Sequence, residues 1–251
     1  MSVRSIFAGI GRRLTQLLLV EEIRTLVALV RYLYFAKLRG QMRCFEGVSD
    51  AIAENALPHN LGAIFRSVKR SGRTNVLIRP LSVVQPIRPR LAEAKVLCIG
   101  PRAEGELLNL VGHGFRWCNI TGLDLISYSP KVDIGDMHKM PYPDDSFDVV
   151  IGSRVLGYSE APGRAAAEFV RVVRSGGVIA VNTGDLQPGT SQQTRKRRVG
   201  PGAKERMSAL DDLLKMFGDS VDQVFHRNDP SVATGQNRGS LVAVFSVSKG
   251  P

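Results

Sequence analysis

With 251 residues, 43% of them hydrophobic, the chain is long enough for one sizeable core and too apolar for wholesale disorder. Its net charge of +11 sits at the two ends: residues 1–95 carry +10, residues 96–190 carry −3 and residues 191–251 carry +4. Three cysteines, Cys44, Cys98 and Cys118, with no C-x-x-C, suggest neither a disulfide frame nor a zinc site and fit a reducing, cytoplasmic compartment.

The first predicted element is an amphipathic helix over roughly residues 11–38. Leu19, Ile23, Leu26, Val27, Val30 and Leu33 share one broad face, and Arg13, Arg24 and Arg31 gather opposite. Charges at Glu21, Glu22, Arg24 and Arg31 interrupt the apolar run, so neither a membrane span nor a signal peptide is expected. Three destinies stay open for such a helix: packing on its own domain, peripheral contact with a membrane surface, or a partner interface. A second short helix is expected near Leu61–Lys69. In "RPLSVVQPIRPR", Pro80, Pro86 and Pro89 rule out regular helix and mark a connector. The boundary falls there, with a basic helical extension over residues 1–90 and the main domain over residues 91–251.

Strands then alternate with helices. Val96–Ile99 reads as a strand, Gly105–His113 as a helix closed by Gly114, and Asn119–Leu125 as the next strand. A loop runs through Pro130. Phe147–Ser153 is a strand, Ala165–Arg174 a helix, and Gly177–Thr183 another strand. The polar segment Gly184–Arg206 is a loop and Ser208–Phe217 a helix. "DQVFHRN" and "SLVAVFSVS" close the chain as an antiparallel pair at the sheet edge. This alternation predicts a Rossmann-like, doubly wound α/β fold with a mostly parallel sheet, whose ligands bind at the carboxyl ends of the strands.

Those ends carry suitable residues. Gly100 follows the first strand and permits a sharp turn or a close backbone approach. Asp124 ends the second strand, 24 positions after Gly100, where an acid can accept both ribose hydroxyls. Asp136 beside Met137 can hold an adenine amine and cover its ring. Ser153 ends the next strand and leads into Arg154–Tyr158.

In this order and spacing, "KVLCIGPRAEGE", "ITGLDLI", "GDMHKMPYPDDSFDVVIGSRVLGY" and "FVRVVRSGGVIAVN" resemble the class I S-adenosylmethionine-dependent methyltransferases, in the form of a methyltransferase type 11-like domain. The resemblance covers about residues 92–183 and implies a seven-stranded sheet with the last strand antiparallel. It also implies S-adenosylmethionine as cofactor: Gly100 and Pro101 beside the methionine moiety, Asp124 and Leu125 at the ribose, Asp136 and Met137 at the adenine, and Ser153 facing cofactor and substrate. The glycine loop departs from the family pattern. Cys98 stands at the acid, Arg102 at the second glycine and Glu104 at the third. Either Glu104 or Glu106 takes over the contact to the cofactor's ammonium, or the loop no longer binds cofactor and the fold serves as a binding or scaffold protein.

The chemistry expected is methyl transfer to a small-molecule, glycan or lipid-linked acceptor. A sulfonium methyl is already activated, so alignment and water exclusion are the main needs. A base is required only where the acceptor must lose a proton. His138 and Tyr158 are the candidates, with His113 behind them, and Arg154 can orient an anionic acceptor. No helix-turn-helix, zinc finger or RNA-stacking signature occurs, so DNA is not expected as a partner, and an RNA acceptor has only the basic ends in its favour.

Overall fold

Val96–Ile99 (β1) is a run of four apolar residues buried on both faces, and it forms the middle of the sheet. The other strands are Ile120–Asp124 (β2), Val132–Ile134 (β3), Phe147–Ser153 (β4), Val173–Leu186 (β5), Val221–Asn228 (β6) and Gly239–Val247 (β7). They pair in the order β3-β2-β1-β4-β5-β7-β6. Strand β7 is antiparallel to both neighbours, and the other pairings are parallel. The seven-stranded sheet with its antiparallel last strand is as expected. From β1 the chain passes to β2 on one side and, after β3, to β4 on the other. The topological switch point therefore lies between the ends of β1 and β4. The computed structural model describes residues 14–46, 74–101, 103–186, 209–229 and 239–250. The helix expected near Leu61–Lys69, the side chain of Arg102 and the basic run Arg195–Arg198 lie outside them.

Five α-helices are described: Glu21–Tyr32 (α1), Asn75–Leu81 (α2), Glu104–Gly112 (α3), Pro162–Val172 (α4) and Leu210–Lys215 (α5). Side-chain alternation along the strands sorts them into two layers. Leu97, Ile99 and Val150 face α4 and α5, while Val96, Cys98, Val149 and Ile151 face α2 and α3.

The second layer corrects two expectations. Pro80 lies inside α2, because it removes only a hydrogen bond of the last turn in a seven-residue helix. Leu77, Ile78, Leu81, Val84 and Ile87 are buried in the same cluster as the strands, so the boundary drawn at residue 90 does not divide two packing units. Two features were missed in the sequence. Strand β3 is three residues long with only Val132 buried, too short for a period to show. Arg43–Cys44 pairs antiparallel with Ile126–Ser127 just beyond β2, a two-residue ladder made by tertiary contact.

Helix α1 is inverted relative to its pattern. Arg24, Ala28 and Tyr32 are its buried residues, while Leu26 and Val30 on the apolar face are 60% and 57% exposed. Arg24 is accommodated because its Nη1 donates to the carbonyls of Leu18 and Leu19 at 2.6 and 3.3 Å, at the end of a 3-10 turn. Beyond α1 the chain continues as π-helical turns over Leu33–Leu38.

At the opposite edge of the sheet from the strand ends, Asp148 of β4 accepts from the Lys95 N–H at 2.8 Å and from Arg174 Nε at 2.6 Å, and it pairs with Arg90. Burial alone would raise its pKa, but these donors outweigh it and hold the carboxyl below its ordinary value. Its contribution to stability is therefore complete above the unfolded-state value and is lost as the pH falls through the folded one. Asp148→Asn is expected to cost about 2 kcal/mol at neutral pH and to flatten the acid limb of a urea-midpoint profile. An unchanged acid limb would show that the cluster stores no stability.

Candidate functional site

The turn after β1 is built by close approach. Gly100 has φ +65°, and a Cβ there would sit 2.5 Å from Val155 Cγ1, so only glycine fits. Its N–H donates to the Leu123 carbonyl at 2.8 Å. Pro101, buried, lies over β2 at Gly122, where a Cβ would come within 2.9 Å of the proline ring. Beneath the turn, burial, reinforced by the Glu106 carboxylate, pushes the Cys98 thiol well up, so it is a neutral, inert side chain.

Two small voids flank this turn. The first is lined by Thr74, Ile78, Cys98, Ile99, Pro101, Glu106, Ile151 and Ser153. The second is lined by Pro101, Glu104, Asp124 and the segment Ile126–Ser129, among others. Sequence-predicted residues thus meet here: Pro101 and Ser153 at the first, and Pro101, Glu104 and Asp124 at the second. Among the described residues, Ser153 is 4% exposed and its Oγ finds no hydrogen-bond partner. Its register partner on β5, Asn182, is 1% exposed and leaves Nδ2 without one. Two buried polar atoms side by side on β4 and β5 are costly unless something binds them. Asn182 also holds the bend after β4. The Arg154 N–H donates to the Asn182 carbonyl at 3.0 Å and to its Oδ1 at 3.1 Å. Arg154 itself is left-handed at φ +60°, a strained backbone of the kind concentrated at functional sites.

The remaining candidates sit on loops. Asp136 accepts from the His138 N–H at 2.9 Å and contacts His138 Nδ1 at 2.6 Å, and His138 Nε2 lies 2.6 Å from Ser159 Oγ. Both ring nitrogens of His138 are therefore engaged within the chain. Met137 is half-buried against the α4 layer. Arg171 of α4 secures the loop that follows, donating to the carbonyls of Tyr142 at 2.7 Å and Met140 at 3.1 Å while paired with Glu168. Tyr158 ends a 3-10 turn and is 37% exposed. Leu125 packs with Tyr32, Ile126 and Tyr128, so its side chain belongs to the contact with the N-terminal chain.

That contact closes the strand ends. Glu104 is wholly buried and accepts from Arg31 of α1, with Nη2 to Oε1 at 2.9 Å and a second, shorter bond from Nε. Ser129 Oγ also bonds the carboxylate, and Tyr128 OH accepts the Glu104 N–H at 3.2 Å. Ala103 offers no side-chain cap for α3, so this tyrosine supplies one. The hydrogen bond to Glu104 outweighs burial and raises the Arg31 pKa, and the guanidinium lies 5.0 Å from the Phe35 ring and 5.2 Å from that of Trp117. Nothing in the pattern of α1 announced Arg31 as an inward residue. Thr74 and Asn182 carried no motif either.

A methyltransferase-domain family matches residues 97–181. A probable S-adenosylmethionine-dependent methyltransferase of Mycolicibacterium smegmatis is 30% identical over 209 residues, spanning 75% of this chain and 78% of that protein. This chain belongs to the S-adenosylmethionine-dependent methyltransferases. A putative methyltransferase of Haloferax volcanii, solved in complex with the Trm112 methyltransferase activator, shares the fold with a TM-score of 0.56 at 15% identity, over 82% of this chain and 99% of that one. S-adenosylmethionine is accordingly the cofactor of this methyltransferase. The polar groups suit it in kind, with an acid at the end of β2, unpartnered buried atoms at β4 and β5, and a glycine turn between. The space does not yet suit it. Each void offers about 10 Å³, room for one water, whereas ligand pockets start at about 300 Å³. In this methyltransferase Glu104, held by Arg31, lines the second of these voids.

Arg31→Ala strips a buried carboxylate of its partner and is expected to destabilise the fold by about 3 kcal/mol, with most of that recovered in the Arg31→Met, Glu104→Gln double variant. Urea unfolding of the three proteins checks this. A single variant within about 0.5 kcal/mol of wild type would show that the pair does not hold α1.

Proposed function

We propose that the chain transfers a methyl group to a small-molecule, glycan or lipid-linked acceptor placed over the ends of β4 and β5. The observation that carries this reading is a pair of buried atoms with no hydrogen-bond partner among the described residues, Ser153 Oγ at the end of β4 beside the switch point and Asn182 Nδ2 next to it on β5. Bound S-adenosylmethionine would supply a methyl already activated on sulfonium. The chain's work is to hold, orient and keep water out.

In this reading Asp124 accepts the ribose hydroxyls, and Gly100 and Pro101 admit the methionine end. Glu106, rather than Glu104, faces the ammonium. Glu106 lines the void beside Cys98, where the family pattern has its acid, while Glu104 is committed to Arg31. Asp136 can meet an adenine amine only while shared with His138. His138 positions the loop and is not the base, because Asp136 and Ser159 take both of its nitrogens. Tyr158 and Arg154 remain to meet the acceptor, Tyr158 taking a proton where the acceptor must lose one and Arg154 orienting an anionic group. Entry of the cofactor requires Arg31 to leave Glu104.

The closed cleft favours a second reading, a non-catalytic scaffold that has kept the fold. Titration calorimetry with S-adenosylmethionine separates the two. Methyl transfer requires binding that Asp124→Ala weakens by about tenfold to a hundredfold, the worth of hydrogen bonds to a charged group. Absence of binding, or binding indifferent to Asp124→Ala, leaves the scaffold.

A further inference from the structure

The inverted α1 leaves its apolar side with no cover among the described residues. Leu26, Val30, Leu33, Tyr34 and Leu38 are 60%, 57%, 46%, 45% and 76% exposed along one continuous segment. So many large apolar side chains on one element exceed the scattered exposure of an ordinary surface.

The charges beside this face are of one sign. No acidic residue occurs between Glu22 and Glu46. Of the five basic residues in that interval, Arg24 and Arg31 are turned inward, Lys37 and Arg39 are exposed at the C-terminal end of the stripe, and Arg43, also exposed, reaches the Ser129 carbonyl with its Nη2 at 3.4 Å. Glu21 and Glu22 lie at the other end, in the first turn of α1, where the helix dipole favours them. Tyr34 adds an amphipathic ring of the kind that settles at a lipid–water boundary.

We propose that this face docks on an anionic lipid bilayer, with Leu26, Val30, Leu33 and Leu38 in the acyl boundary and Lys37, Arg39 and Arg43 on the headgroups. A free interfacial helix keeps its polar side in water. Here the polar side is spent on Glu104 and the Leu18 and Leu19 carbonyls, so the protein body takes the place of water. A second copy paired in parallel would set the same cationic cluster against itself, and an antiparallel copy, which would bring that cluster to Glu21 and Glu22, is the outcome that the sedimentation arm below detects. No helix among the described residues is long and apolar enough to cross a membrane, so the contact is a surface one.

Flotation of the full chain with phosphatidylcholine vesicles, with and without phosphatidylglycerol, tests this. The protein should float with the anionic vesicles and much less with the neutral ones. Neutralising Lys37, Arg39 and Arg43 to Gln should weaken binding about a hundredfold. Leu26→Gln, Val30→Gln and Leu33→Gln together should weaken it at least about tenfold. These positions are exposed and lie outside the cofactor residues, so S-adenosylmethionine calorimetry on the same variants separates a lost fold from a lost surface. Failure of the wild type to float with anionic vesicles overturns the proposal. So does equal flotation of the leucine–valine variant, or a dimer in sedimentation that this variant abolishes while vesicles are ignored.

Discussion

A carboxylate buried at the head of a helix needs a cation, and in this chain the cation comes from the far end of the sequence. Glu104 is wholly buried, and Arg31 is the basic side chain bonded to it. An ion pair of this kind gains little over two apolar groups, but losing either partner is expensive, so it fixes an arrangement more than it adds stability. Once Arg31 must face inward, the helix that carries it must turn its arginine side to the protein. The edge-to-face contact of Tyr32 with Tyr128 and the ladder of Arg43–Cys44 on Ile126–Ser127 follow on the same path. The apolar side is then exposed by consequence, and the strand ends are covered.

That single constraint links the two unusual features of the chain. The glycine loop departs from its family at Cys98, Arg102 and Glu104, and the N-terminal helix departs from ordinary amphipathic packing. Both departures meet at one contact. Cys98 leaves the strand without its acid, and Glu106, one turn into α3, brings a carboxylate to the same void. Glu104, at the third glycine position, is bonded to Arg31 of α1. A loop that looked degraded when read along the strand has its charges redistributed over a strand, a helix and an extension.

Much of this was legible in the sequence where the signal was local. Val96–Ile99 and Phe147–Ser153 are strands with the expected ends, since each is an apolar run bounded by a glycine turn or polar residues. Gly100, Asp124 and Ser153 stand at strand ends because a strand's length and the turn after it are local properties. The illegible parts are those set by distant partners. Periodicity says that a helix has two faces but not which one a buried acid 73 positions away will claim. The role of Asn182 came from its register beside Ser153, and the diversion of His138 came from the distant loop that brings Ser159 to it. Pro80 misled because a rule about helix interiors was applied to a last turn.

The link between α1, strapped to Glu104 through Arg31, and the cofactor site can be read directly by amide hydrogen exchange with and without saturating S-adenosylmethionine. Exchange should slow over residues 98–106 and 120–126, where the ligand is held, and quicken over Glu21–Tyr32 as Arg31 is released from Glu104. Saturable binding that slows residues 98–106 while Glu21–Tyr32 stays as protected as before would contradict a strap that must open. Binding that leaves residues 98–106 untouched would contradict the placement of the site itself.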